Sequence, residues 1–158
     1  MKKYLLASIL ALSSLPGLAP AADVGPAATP ARPQDPTLEQ ARAATAQKDW
    51  AAAQAILRDA VARDPSNADY HNLYAYSIRK GENPDMSLVF KHYNEALSID
   101  PKHKGAHEYL GEAYLMVGNV GKAKEHLAQL DKLCFFPCSE FSDLKKAIAD
   151  FETSKVAR

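Results

Sequence analysis

Apolar side chains recur at helical spacing through most of the chain beyond residue 36. After Pro101, two such stripes follow one another, and Gly118-Asn119 separates them. The first stripe is His107, Leu110, Tyr114 and Val117, and the second is Ala123, Leu127 and Leu130. Spacings of three and four residues predict amphipathic helices, and glycine ends a helix readily because it tolerates a positive φ. This region is therefore predicted to form a helix–turn–helix.

The same pattern occurs twice. The pairs Asp64-Pro65 and Asp100-Pro101 lie 36 residues apart, and the residues around them agree in size and order. The matched residues are Leu57 and Tyr93, Ala60 and Ala96, His71 and His107, and Ala75 and Gly111. Self-similarity at a period of this length indicates a repeat architecture in which neighbouring units bury a common core.

Two segments carry a family resemblance. Residues 108–114 (EYLGEAY), followed by Gly118-Asn119, Ala123 and Leu127, resemble the tetratricopeptide repeat (TPR), and Lys48-Asp49-Trp50, Ala53, Ala60 and Pro65 resemble its second half. The resemblance implies an all-α solenoid of about three helix–turn–helix units, at 37–67, 68–103 and 104–133. Gly111 and Ala123 are expected to lie where the two helices of the third unit cross, because small residues let the helices approach closely.

The second unit departs from the family pattern in two ways. It contains two extra residues within 81–85, and it has Val89 where the family usually has alanine. A longer turn is expected there, with the fold kept.

The tail, residues 134–158, predicts a cysteine loop and a capping helix. Phe141, Leu144, Ile148 and Phe151 share one helical face, and Ser139 is the expected N-cap. A helix lying on a membrane is the alternative, but the charges on its polar face are mixed rather than basic.

The N-terminus predicts an export signal. Lys2 and Lys3 precede an apolar stretch, and residues 19–21 form a small-x-small cleavage pattern, which is the layout of a secretory signal peptide over 1–21. The stretch is too short to span a bilayer. Residues 22–36 are rich in proline and alanine and predict a semi-extended linker, either a spacer or an end without a role. A soluble periplasmic protein is expected.

Charge narrows the range of partners. The 158 residues contain 19 basic and 19 acidic side chains, and removal of the signal leaves 17 basic against 19 acidic. Such a balance argues against a nucleic-acid binder, which needs a basic surface. We expect a monomer or weak homo-oligomer that binds a protein or peptide and has no stable membrane insertion.

Cys134 and Cys138 are the two cysteines, separated by Phe135-Phe136-Pro137. In an exported protein a structural disulfide is the simplest expectation. A thiol-redox or metal-handling role remains the alternative, although the spacing is not C-x-x-C. Self-association through Phe135 or Phe136 is a third hypothesis.

The histidines predict packing rather than chemistry. His71 and His107 occupy the same repeat position, where large packing residues are usual, and His92 and His126 are expected on the surface of second helices. The sequence has no metal-binding H-E-x-x-H, phosphate loop or nucleophile elbow. Glu108 and Glu112 are expected to be solvated. We therefore predict no enzyme, no metal and no cofactor.

The concave side of such a solenoid is the predicted binding groove, because first helices line it. It would mix charged, amide and aromatic side chains and so suit an extended peptide. The residues predicted to line it are Arg42, Asp69, Asn72, Tyr76, Arg79, Glu108, Glu112 and Met116. The predicted function is a non-enzymatic adaptor or scaffold.

Overall fold

Seven helices follow one another in this computed structural model, which describes residues 35–136 and 138–156. They are α1 Pro36–Ala46, α2 Trp50–Arg63, α3 Ala68–Lys80, α4 Met86–Ile99, α5 Lys104–Met116, α6 Val120–Leu133 and α7 Ser139–Val156. The predicted all-α solenoid of helix pairs is confirmed, and the described residues contain no strand. The predicted signal peptide and all but the last two residues of the predicted linker lie outside the described residues.

Side chains that cap the helix ends explain where the helices begin. Before each of the first six helices, a side chain accepts a hydrogen bond from a backbone N–H two or three residues further on, which satisfies an otherwise unpaired donor. These caps are Asp35, Asp49, Asn67, Asp85, His103 and Asn119. Pro36, which the sequence assigned to the linker, is instead the first residue of α1, a position where its missing N–H carries no penalty.

The turns inside the helix pairs differ in length. Residues 47–49 join α1 to α2 and residues 117–119 join α5 to α6, each with a residue of positive φ, Lys48 (58°) or Gly118 (78°). Residues 81–85 join α3 to α4, two residues more, so the expected longer turn is present.

Helix contacts define an inner and an outer side. Each of α1, α3 and α5 packs against the helix that follows it and against the next odd-numbered helix, whereas α2 and α4, and likewise α4 and α6, do not contact one another. The first helices are therefore closer together than the second helices. This difference makes the side formed by α1, α3, α5 and α7 the concave one.

The helix α7 packs as the first helix of a fourth unit without a second helix. Leu144 follows Leu110 by 34 residues and is fully buried with Leu130 and Ile148. A Cβ on Gly111 would lie 2.6 Å from a Leu144 methyl group. The expectation that Gly111 lies at the crossing with Ala123 is therefore wrong, because its missing side chain makes room for α7.

A disulfide links Cys134 and Cys138 between α6 and α7, with 5.9 Å between their Cα atoms. The predicted pairing is therefore present. Ser139, the predicted N-cap, is the first helical residue, because the Cys138 carbonyl accepts the first helical hydrogen bond from the Ser142 N–H at 3.2 Å. The loop exposes Phe135 and Phe136.

Candidate functional site

Four side chains of α3 and α5 meet on the concave side, and we call them the groove cluster: Tyr76, Arg79, Tyr109 and Glu112. Arg79 lies at the centre, with its guanidinium carbon 5.6 Å from the ring centre of Tyr76 and 5.7 Å from that of Tyr109. Its Nη2 is 2.6 Å from a carboxylate oxygen of Glu112. Guanidinium groups stack well on aromatic faces, so ring contacts and an ion pair hold Arg79 in place.

A phenol completes the surroundings of Arg79. The Arg79 Nε–H donates to the Tyr93 hydroxyl oxygen at 3.3 Å, and only 7% of Arg79 is exposed. Burial raises the pKa of Tyr93, and burial together with the nearby Glu108 raises the pKa of Tyr109 to about 12. Both phenols therefore stay neutral, and the cluster is a rigid polar surface rather than a set of titrating groups.

Glu108 lies one helical turn before Glu112 and is only 8% exposed, so the expectation that both carboxylates are solvated is wrong. Burial is the main cause that raises the pKa of Glu108 to about 8, with further contributions from Glu112, Asp143 and Glu140, while Arg79 acts in the opposite sense. Within residues 35–136 and 138–156 it forms no hydrogen bond or ion pair.

Asn72 occupies in α3 the position that Glu108 occupies in α5. It is 5% exposed, and its Oδ1 has no hydrogen-bond partner among the described atoms. Its Nδ2 would lie 3.4 Å from a Cβ on Gly105, so Asn72 reaches the start of α5. A buried amide oxygen without a partner is costly, and it can be satisfied by a donor from a ligand or by water.

The other predicted groove residues make different contacts. Arg42 pairs with Glu39 of its own helix at 3.1 Å, and both are about half exposed. Asp69 accepts from the His103 Nε2 at 3.1 Å, which links α3 to the start of α5. The structure thus brings Tyr76, Arg79 and Glu112 together, but it does not place Arg42 or Asp69 in the groove cluster.

Met116 lies further along the concave side, half exposed, in an apolar pocket between α5 and α7. The pocket has a volume of about 470 Å³, and it is lined by Leu115, Met116, Ala147, Phe151, Asp150 and Ser154. Pockets of this kind accept large apolar side chains of a ligand.

Two histidine pairs join the helices of the second and third units. The Nδ1 atoms of His71 and His92 lie 2.8 Å apart, and those of His107 and His126 lie 3.0 Å apart. The Nε2–H of His71 donates to the Pro65 carbonyl, which leaves its Nδ1 as an acceptor for the His92 Nδ1–H. The third unit repeats this arrangement with the Pro101 carbonyl.

The expectation that His92 and His126 are surface residues is therefore wrong. Burial and, to a smaller extent, the partner histidine lower the pKa of each to about 4. A sequence signal did exist: His92 and His126 are 34 residues apart and so share a position in their repeats. The pairs hold helices together through hydrogen bonds, which is a structural role.

The described part of the chain contains no group of three or more histidine, cysteine, aspartate or glutamate side chains that could hold a metal ion. Among the same residues, none of the helices has the length and apolar character required to cross a bilayer.

The comparisons with known proteins identify the fold. No protein-family model matches the chain, and no curated protein is significantly similar to it in sequence. The first TPR domain of human RPAP3 is similar in structure, with a TM-score of 0.61 and 16% identity over 75% of this chain and 94% of that one. These values establish a TPR-like fold.

Two further solved structures are similar to a comparable degree. The type III secretion translocator chaperone SycD of Yersinia enterocolitica has a TM-score of 0.61 and 18% identity, over 78% of this chain and 96% of that one. A chain of the CopN–Scc3 complex has a TM-score of 0.57 and 18% identity, over 72% of this chain and 65% of that one.

Proposed function

We propose that this protein is a non-enzymatic protein–protein interaction module of the periplasm, an adaptor or scaffold that holds a peptide or partner protein in its concave groove. The groove cluster carries this proposal, because Arg79, Tyr76 and Tyr109 are fixed in place by one another before any partner arrives. Preorganised side chains lower the entropic penalty of binding.

The similar structures agree with this proposal. One is a secretion chaperone and another is a chain of a complex, and both descriptions involve association with other proteins. The unpartnered Asn72 Oδ1 offers an acceptor for an N–H group of a ligand.

Site-specific photo-crosslinking in the producing cell tests the groove. A photoreactive residue replaces Tyr76 or Met116 on the concave side, and Arg58 or Lys91, which are exposed on second helices, serves as the matched control. We expect one common adduct from both concave positions. Adducts from Arg58 and Lys91 alone would contradict groove binding.

Fractionation tests the location. We expect the protein in the periplasmic fraction with Ala22 as its first residue, because the predicted signal ends at Ala21. A chain that keeps Met1 and stays in the cytoplasm would overturn this part of the proposal.

The alternative is a thiol-redox or metal-handling accessory that uses Cys134 and Cys138. It is favoured by the partial exposure of both residues. Thiol labelling of the native exported protein separates the two functions. A scaffold disulfide should resist mild reductant, whereas ready exchange, or loss of labelling after metal is added, would support the accessory role.

A further inference from the structure

The end of the groove between α5 and α7 differs from the groove cluster. It combines the pocket of about 470 Å³ with carboxylates of two helices. The two helices run side by side in the same direction, because Gly111 faces Leu144 and, further along both helices, Leu115 and Phe151 line one pocket. Glu108 lies one turn before Gly111, and Asp143 directly precedes Leu144.

The carboxylates at this end exceed the cations that pair with them. Glu112 is neutralised by Arg79. Glu108 and Asp143 form no hydrogen bond or ion pair within the described residues, and the contact of Glu140 is a hydrogen bond donated by the neutral Ser139 hydroxyl. Three acidic side chains, Glu108, Glu140 and Asp143, thus have no cation paired with them in the part of the chain that the structure describes.

Glu108 supplies an observation of a different kind. Only 8% of Glu108 is exposed, and no described donor or cation pairs with its carboxyl group, so a donor or cation from outside would stabilise it. The corresponding Asn72 is also buried with an unpartnered oxygen, so both positions present unmet acceptors to the concave side.

We propose that this end of the groove binds a segment of a partner protein that places a lysine or arginine at Glu108 and a large apolar side chain in the pocket. This inference rests on the proposed function. Glu108 and Leu115 are seven residues apart on α5, which is two turns or about 10 Å. A peptide in the polyproline II conformation covers that distance in about three residues and has three residues per turn, so a cation and an apolar residue three positions apart would face the groove together.

Binding of such a cation should be coupled to loss of a proton. Burial and the neighbouring Glu112, Asp143 and Glu140 raise the pKa of Glu108 to about 8, so at pH 7 the group is mostly protonated. Tyr109 adjoins it on α5, and Arg79 of α3 is the cation that favours its ionised form. A second cation at the carboxyl group would ionise it.

A random peptide display library, panned on the mature chain from Ala22 with the disulfide intact, tests the specificity. We expect enriched peptides to combine lysine or arginine with a large apolar residue three positions away. Glu108→Gln should weaken their binding about tenfold or more, because the cation loses its charged partner. Glu95→Gln, on the exposed side of α4, is the matched control and should leave the affinity unchanged.

Calorimetry of an enriched peptide in phosphate and in Tris at pH 7 tests the coupling. The difference in binding heat reports proton release, and we expect about one proton from the unsubstituted protein and none from Glu108→Gln. Misfolding of Glu108→Gln would weaken peptide binding, but it would not by itself abolish proton release in the binding that remains.

The outcomes separate this inference from the proposed function. Enriched peptides that lose binding on Tyr76→Ala but lack cations, or that bind Glu108→Gln equally well, overturn the inference and leave groove binding intact. Peptides that resemble residues 22–34, or self-association that Glu108→Gln abolishes, would assign the site to this chain and also overturn it. No enrichment of any groove-dependent peptide overturns both.

Discussion

The first helix pair, α1–α2, and the second pair, α3–α4, share one backbone arrangement but are held by different chemistry. The buried residues of the first pair are all apolar: Leu38, Ala41, Ala53, Leu57 and Ala60. The second pair buries, among its apolar residues, His71, Asn72, Ser77, Arg79 and His92. The third pair resembles the second, with His107 and Glu108 buried.

Residues at equivalent repeat positions explain how the apolar first pair and the more polar later pairs adopt the same arrangement. Leu38, Asn72 and Glu108 occupy one position of the first helices and are all nearly inaccessible. Their sizes are similar although their polarity is not, and close packing depends on volume first. The comparison teaches that side-chain size maintains the repeat, whereas the buried polar side chains of the second and third pairs serve both the concave surface and the contacts between helices.

Acidification should affect the two kinds of helix pair differently. Folded His92 and His126 stay neutral down to about pH 4, whereas in the unfolded chain they take up protons near pH 6.5. Their contribution is therefore present above pH 6.5 and is lost as the pH falls towards 4. When the pH falls from 7.5 to 5, the loss of the contribution of each of these two histidines should lower the free energy of unfolding by about 2 kcal/mol.

The measurement is hydrogen exchange at both pH values in a Glu108→Gln background, because Glu108 changes stability in the opposite sense. We expect protection to fall most in α3–α6, and His92→Leu with His126→Leu should flatten the pH dependence. An equal loss of protection in α1 and α2 would show that the first helix pair does not differ from the others in its response to acid.

Gly111→Leu should have the next largest effect. Ala41, Ala75 and Gly111 share one repeat position, but a Cβ on Gly111 would meet two Leu144 methyl groups at 2.6 and 2.7 Å. Overpacking should lower the free energy of unfolding by about 3 kcal/mol or more. Thermal unfolding followed by circular dichroism is the measurement, and Gly121→Ala, whose Cβ would have only Asn119 within 4 Å, is the control. An unchanged transition would show that α7 does not pack there.

Glu108→Gln should stabilise the protein at alkaline pH. The pKa of Glu108 is about 8 in the folded chain, against an ordinary value of 4.5, so stability is lost as the pH rises from 4.5 through 8. An amide of the same size avoids ionisation, and the gain should be on the order of 2 kcal/mol at pH 8. Urea unfolding at pH 8 and 4.5 measures it, and an equal gain at both would contradict burial as the cause.

The smallest expected change in the free energy of unfolding comes from substitutions in two equivalent turns. Lys48 and Gly118 hold the same place in their units with positive φ, a conformation unfavourable for lysine. Lys48→Gly should raise the free energy of unfolding by up to about 1 kcal/mol, and Gly118→Ala should lower it by about 1 kcal/mol. No atom lies within 4 Å of a Cβ on Gly118, so the backbone alone should act. Chemical denaturation of both variants tests whether the turns are equivalent.

Much of the fold could be predicted from the sequence, because local signals carry it. Asp49 and Asn119 cap helices through their own side chains, and Gly118 adopts a positive φ in the turn after α5, where the helix was expected to end. The candidate site was predictable only in part. Tyr76, Arg79 and Glu112 were named and do meet, whereas Tyr109 was missed because it lies beside the periodic stripe.

The sequence by itself determined the helices, the repeat, the longer second turn and the disulfide pairing, since each depends on residues close together in the chain. Only the tertiary structure decided which polar groups are buried. Glu108 is influenced by Asp143 and Glu140 of α7, and His92 is bonded to His71 on another helix. Burial depends on partners that are distant in the chain, and helical periodicity specifies the face of a helix without specifying what covers it.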